Sequence, residues 1–342
     1  MIRRHFLGAA SALAILATIA GVPAAQAQET LTGVTYIPPS YEDLAYGYQG
    51  FVEAVNKADP DVLQLDFYDS GRLLKADEQL PALRSGNIDL MFHTTSYVTR
   101  SLPILGILGL PGVVEALYEN PDRLKRGSPL FELIAGELEK QDLKLLTLGG
   151  GIFEPEYIWS TANAPVTSID DIKGKKVRVV SYEATDVIED FGGAAVRVPS
   201  SELYLALQRG TVDAAVATIS TINGRDLNEQ TANVYRLPLT AFAIGIFMRK
   251  DRYDALSDEE KAALDAGVEW FDAESVKAAN EEYFAKQYWP AFKEAGLSEY
   301  QADEAAMQKL DEVSEDVREE WIGQVGDEVG RRAIALALGK ES

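Results

Sequence analysis

EQLPALRSGNIDLMF (residues 78–92) and ELYLALQRGTVDAAV (residues 202–216) are one phrase written twice, since both fit Glu-x-x-x-Ala-Leu-x-x-Gly-x-(Ile/Val)-Asp. In each copy the Glu stands near the positive N-terminal end of a predicted helix, with Ala-Leu on its packed face. Gly86 or Gly210 ends that helix where a left-handed residue is needed, and the Ile/Val-Asp that follows enters a strand. Each copy is therefore one α-β unit. Helix-glycine-strand is common grammar in α/β proteins, but chance less readily supplies Glu, Ala-Leu, Gly and Asp in a single register. A second copy predicts a second lobe.

Apolar runs alternate with helical patterns on either side of each copy. LTGVTY (31–36), VLQLDFY (62–68) and LKLLTL (143–148) have strand character, as do KKVRVV (175–180), AAVRV (194–198) and AFAIGIFMRK (241–250), with helical stretches between them. This alternation predicts an α/β fold with mostly parallel sheets. Gly149-Gly150-Gly151 follows a strand, but no Gly-Lys-Ser/Thr comes after it, so it reads as a crossover between lobes and not as a phosphate loop. The predicted division is lobe I over 28–150, with 239–256 returning to it, and lobe II over 151–238. Ser257-Asp258-Glu259-Glu260 is a capping box that opens a long helix towards Trp289, where Pro290 is expected to stop it. Helices around 302–318 and 319–338 complete a region, 257–342, that braces both lobes.

The first 27 residues carry Arg3 and Arg4, an apolar stretch from Phe6 to Val22, and Ala25-Gln26-Ala27. That pattern is an export signal, expected to be cleaved after Ala27, and it places the mature chain in the periplasm. Arg3-Arg4-x-Phe6-Leu7 also fits the twin-arginine route, and one short match leaves both routes open. A formal net charge of −22 repels nucleic acid and anionic lipid. There are no cysteines, and the only histidine beyond the leader is His93. A His/Cys zinc site, a Cys nucleophile and a thiol redox centre are thereby set aside, and no cofactor is expected.

Open α/β sheets bind ligands beyond the carboxyl ends of their strands. The candidate contacts are therefore Tyr36 at the end of the first strand, His93 and Thr94 after the first copy, and Ala217 and Thr218 after the second. A lone histidine after a buried strand is also commonly structural.

SGRLLKADEQLPALRSGNIDLMF, SIDDIKGKKVRVVS and GGAAVRVPSSELYLALQRGTVDAAVA resemble, in order and spacing, the signatures of the DctP-type solute-binding proteins of tripartite ATP-independent periplasmic (TRAP) transporters. The Asp-x-Lys-Gly-x-Lys-x-Arg-Val run is the most specific part. The resemblance implies a type II-like periplasmic receptor whose two lobes close on a small solute, a long helix bracing both, and delivery to a TRAP membrane permease. It further implies that Arg178, in the Lys-x-Arg-Val strand, pairs with a ligand carboxylate, a role suited to a planar and permanently charged guanidinium.

Three positions depart from that family's pattern. Ile158 stands where many members carry a second arginine, with Trp159 and Tyr157 beside it. Ser200 stands where an aromatic often precedes Ser-Glu-x-Tyr, and Ala217 stands where Asn is common. The expectation is a small organic anion whose far end is neutral or apolar.

Two other readings have less behind them. A ligand-sensing module for a sensor protein would have the same sequence. A secreted hydrolase using Glu154 and Glu156 needs a carboxylate pair, which 54 acidic residues make almost inevitable.

Overall fold

The computed structural model describes residues 28–340, so the predicted leader lies outside the described residues. Two sheets carry the fold. The first runs in the order β2 (Leu63–Tyr68), β1 (Glu29–Val34), β3 (Leu90–Thr94), β10 (Ile244–Arg249) and β4 (Leu143–Thr147). Its first three strands are parallel, and β10 lies antiparallel between β3 and β4. The second runs β11 (Ser298–Gln301), β9 (Asn233–Thr240), β5 (Glu156–Ser160), β8 (Ala214–Ala217), β6 (Lys176–Val179) and β7 (Ala194–Arg197). Each sheet with its covering helices is called a lobe here.

The two copies of the repeated phrase fall in different sheets and do the same work in each. The first is the helix Ala76–Ser85, ended by Gly86 at φ +76° and followed by β3. The second is the helix Ser200–Gln208, with Gly210 at φ +66° and β8 beyond it. The repeated Asp is explained by its bonds. The Asp89 carboxylate accepts from the Thr32 N–H at 2.8 Å, and the Asp213 carboxylate accepts from the Lys176 N–H, also at 2.8 Å. In both lobes the same residue thus pins the entering strand to its parallel neighbour.

The chain passes between the sheets at Gly149–Gly151, after β4, and at Ala241–Ala243, between β9 and β10. A Cβ on Gly150 would collide with the Asp272 carbonyl. The third link is the long helix. It runs as Asp258–Lys277, a π-helical stretch Ala278–Tyr288 and Trp289–Glu294, roughly 50 Å in all. Ser257 Oγ accepts from the Glu260 N–H and the Glu260 carboxylate returns to the Ser257 N–H, closing the capping box. Its first part packs on the helix Glu42–Ala58 of lobe I, and Trp289 stacks on Trp159 of lobe II with ring centroids 5.4 Å apart. Between them Asn280 bonds the Glu154 N–H and the Ile152 carbonyl of the first crossing.

Three expectations need correcting. Pro290 does not stop the long helix, because the wider π-helical turns ahead of it leave room for the ring and use a different hydrogen-bond partner. The final helices are Glu304–Val325 and Asp327–Ala337, divided at Gly326 (φ +99°) and not near 318. The reading also passes over β9 and β11. Pro238 argues against a strand, yet it sits where the β5–β9 register shifts and beyond the four residues that β11 covers, so no ladder bond is lost there.

Candidate functional site

Arg178 lies on β6, paired with Ala215 of β8, and is 2% exposed. Its Nε and Nη1 donate to the main-chain carbonyls of Val198 and Val216, each at 2.9 Å. These two bonds fix the plane of the guanidinium. Nη2 reaches across to lobe I, 3.3 Å from the hydroxyl of Tyr97. The same hydroxyl accepts from the Ser200 N–H, at the start of the second-copy helix, at 2.9 Å. A guanidinium and a helix N-terminus therefore converge on one oxygen, the arrangement that holds a carboxylate.

Ser96, Ser200 and Thr218 are buried, and the hydroxyl of each has no partner among the described residues; that of Ser200 belongs to the residue whose N–H meets Tyr97. Tyr36 bonds Thr94 Oγ1 at 2.7 Å, and its ring centroid is 5.0 Å from those of both Tyr97 and His93. Burial raises the Tyr36 hydroxyl well above the ordinary phenol range, so it is protonated and able to donate. Beyond Tyr36 a cavity of about 460 Å³ opens between the lobes, lined by Ser70, Gly71 and 75–78 on one side and by Pro199, Ser201, Glu202 and Arg225 on the other.

The lobes also meet through Asp77 and Arg197 (2.8 Å), Ser40 Oγ and the Gly224 carbonyl (2.7 Å), and Ser220 Oγ and Asp43 (2.6 Å). The two lobes are in direct contact across the cleft.

The sequence-derived candidates divide. Arg178, Ser200, Tyr36 and Thr94 gather at the lobe boundary around Tyr97, while Thr218 is fully buried after β8. His93 touches Tyr36 and Tyr97 but is fully buried, with its ring nitrogens 2.9 and 3.0 Å from the carbonyls of Thr94 and Ala76. Two main-chain carbonyls thus hold the ring in place as a structural clamp, while burial pushes its pKa down.

Ala217 is fully buried, and its carbonyl accepts from Trp159 Nε1 at 2.9 Å. Trp159 belongs to the core and to a separate cavity of about 260 Å³ lined with Ile222 and Phe292. Ile158 is the clearest correction. It pairs with Val216, one residue out of phase with the Ala215 that pairs with Arg178, so it lies on the opposite face of the sheet, in the core with Val177 and Val179. Position 158 thus says nothing about the solute's far end.

The two acids of the hydrolase reading have structural partners. Glu154 pairs with Arg236 at 2.7 Å and accepts from Trp289 Nε1, and Glu156 accepts from the Thr240 hydroxyl and feels the charge of Arg178. Sequence reasoning missed Tyr97 and Arg225, whose contacts with Arg178 and Tyr41 cross between the lobes and are announced by no local pattern.

Among the described residues no helix is long and apolar enough to cross a membrane. The chain is 29% identical over 186 residues to a solute-binding protein of Albidiferax ferrireducens, a match spanning 53% of this chain and about half (52%) of that relative. It is 26% identical over 341 residues to the C4-dicarboxylate-binding periplasmic protein DctP of Rhodobacter capsulatus, covering 96% of this chain and 97% of that one. In fold it is similar to DctP6, a Bordetella pertussis extracytoplasmic solute receptor binding pyroglutamic acid, with a TM-score of 0.79 at 20% identity over 92% of this chain and all of that one. The family model for bacterial extracellular solute-binding proteins, family 7 (DctP), matches residues 39–324, and the chain belongs to that family.

Proposed function

We propose that this protein captures a small organic carboxylate between its lobes and delivers it to a TRAP-type membrane permease in the periplasm, without chemical conversion of the solute. The observation that carries the reading is the convergence of Arg178 Nη2 and the Ser200 N–H on the Tyr97 hydroxyl. We read the position of that oxygen as the one a carboxylate oxygen takes, with the unpartnered hydroxyl of Ser200 as a further donor beside it. Because Val198 and Val216 hold the guanidinium in place, binding costs little side-chain ordering. The relatives' names support the class of solute, and the engaged state of Glu154 and Glu156 supports a carrier over a hydrolase.

Titration calorimetry against small carboxylates tests it. Arg178→Ala leaves the bound carboxylate without its partner in a closed cleft, and truncating one side of a buried charge pair costs ~2–5 kcal/mol, roughly 30-fold to several thousand-fold in affinity. Arg178→Lys keeps the charge but loses the fork, and binds between the two. Parent-like affinity in Arg178→Ala removes the site.

A further inference from the structure

Two carboxylates lie buried where the lobes touch, each against neutral groups of the opposite lobe. Asp43, in the first turn of the helix Glu42–Ala58 of lobe I, is 1% exposed. Its oxygens accept from Ser220 Oγ of lobe II at 2.6 Å and from the Tyr288 hydroxyl of the long helix at 3.3 Å. Around it stand Glu42 on its own helix, Tyr283 on the long helix, and Arg225, which follows the helix of Ser220 and rests on the ring of Tyr41. Glu183, in the first turn of the helix Tyr182–Asp190 of lobe II, lies so close to Gly106 of lobe I that a Cβ there would collide with its Oε1. Its Oε2 has no partner, and the neighbouring Trp321 Nε1 donates to the Pro103 carbonyl. The charges about Glu183 are mostly its own sign: Asp186, Glu189 and Asp190 on the same helix and Glu320 on the helix Glu304–Val325, with Arg100 of lobe I over the Tyr182 ring.

An ionised carboxylate in such a place has lost its water without gaining a countercharge, whereas a protonated one loses little. Parting the lobes takes Asp43 from Ser220 and Glu183 from Gly106 and returns both to water, where carboxyls titrate near 4. With the lobes in contact, burial lifts Asp43 to about 6 and Glu183 to about 7. His93 has both ring partners within lobe I and enters neither contact.

We propose that closing the lobes takes up protons at Asp43 and Glu183, so that the protein holds its solute more tightly in acid and releases it more readily towards neutrality. The inference rests on the reading that the lobes close on a solute. Because both groups hold their protons more strongly in the contact state, the coupling acts between about pH 4 and 7 and fades above that window.

The test is calorimetry with pyroglutamate, lactate and orotate, whose carboxyls stay ionised from pH 5.5 to 7.5. The parent is expected to bind at least one of them about fivefold or more tightly at pH 5.5 than at 7.5, and to take up protons at pH 6 when the heat is compared between buffers of different ionisation enthalpy. Glu183→Gln together with Asp43→Asn mimics the protonated pair and should carry the pH 5.5 affinity up to pH 7.5. Binding that is independent of pH, binding without proton uptake, or a double variant as pH-dependent as the parent overturns the proposal. If none of the three acids binds at millimolar concentration, the carboxylate reading fails by itself and the solute-free protein decides this one. The chain has no cysteine, so Leu73→Cys and Leu205→Cys, exposed on opposite lobes, take one nitroxide each. Their separation is expected to shorten between pH 8 and 5, and a distance distribution that does not move overturns the proposal.

Discussion

At the scale of single residues, the fixed guanidinium of Arg178 contrasts with the side chain at 158. Arg178 was legible through the resemblance carried by the Lys-x-Arg-Val run, and the strand it sits on was plain in the sequence. Its partners were not legible: one is a main-chain carbonyl of β8, one a carbonyl just past β7, and the third a tyrosine of the other lobe. Counting along the chain set Ile158 beside Arg178 and could not say which face of the sheet it would take. The register decides that face, and it makes Ile158→Arg a stability variant. A cation placed among Val177, Val179 and Val216 has no acceptor, and such a substitution is expected to cost on the order of 3 kcal/mol or more. Urea denaturation reads the loss directly. An Ile158→Arg protein that unfolds at the parent's midpoint would show that the side chain escapes the core.

Between elements, close approach is set by small residues. The helix Glu42–Ala58 and the start of the long helix meet where Gly267 faces Val55 and Phe51, and where Gly47 faces Phe271. A Cβ at Gly267 would drive into both Val55 and Phe51, whereas Gly136, in the helix Pro129–Glu139, has nothing within 4 Å of its would-be Cβ. Glycine and alanine differ by ~1 kcal/mol in helix propensity wherever they occur. Gly136→Ala should therefore stabilise the protein by about 0.5–1 kcal/mol, while Gly267→Ala should destabilise it despite the same intrinsic gain. Chemical denaturation of the pair gives the signs, and a stabilising Gly267→Ala would refute the close packing. The helix starts, the strands of the first sheet and the repeated unit were readable here because periodicity and capping residues are local. β9 with its internal proline and the short edge strand β11 were not, since their pairing is decided by the sheet they join.

For the molecule as a whole, the lobe boundary buries acids that no local pattern singles out. Asp43 sits under Ser220 and Tyr288, and burial raises its carboxyl to about 6. Glu183, on the helix Tyr182–Asp190 of lobe II, is 1% exposed against Gly106 of lobe I and Trp321 of the C-terminal helix. One of its oxygens has no partner. Burial raises it to about 7, and its neighbour Asp186 is likewise raised to about 7, by burial and then by the charges of Glu320, Glu183, Glu189 and Asp190. In the unfolded chain all three return to the ordinary carboxylate range near 4.

The folded state therefore binds more protons than the unfolded state between about pH 4 and 7, and stability falls as pH rises through that window. Asp171 and Asp251 are shifted the other way but lie on the surface, where screening leaves them little weight, and buried His93, whose pKa is pushed down, opposes the trend below about pH 6.5 as one group against three. The expected melting temperature is highest at the acid end, near pH 4.5, and declines towards neutrality, with Glu183 contributing on the order of 3 kcal/mol at most. Glu183→Gln keeps the shape without the titration and should flatten the decline while raising stability at pH 7.5. Thermal melts of parent and variant from pH 4.5 to 8 decide it. A parent whose melting temperature climbs with pH, or a Glu183→Gln variant that declines as steeply as the parent, would mean that the carboxylate at this lobe contact is hydrated and charged in the folded protein.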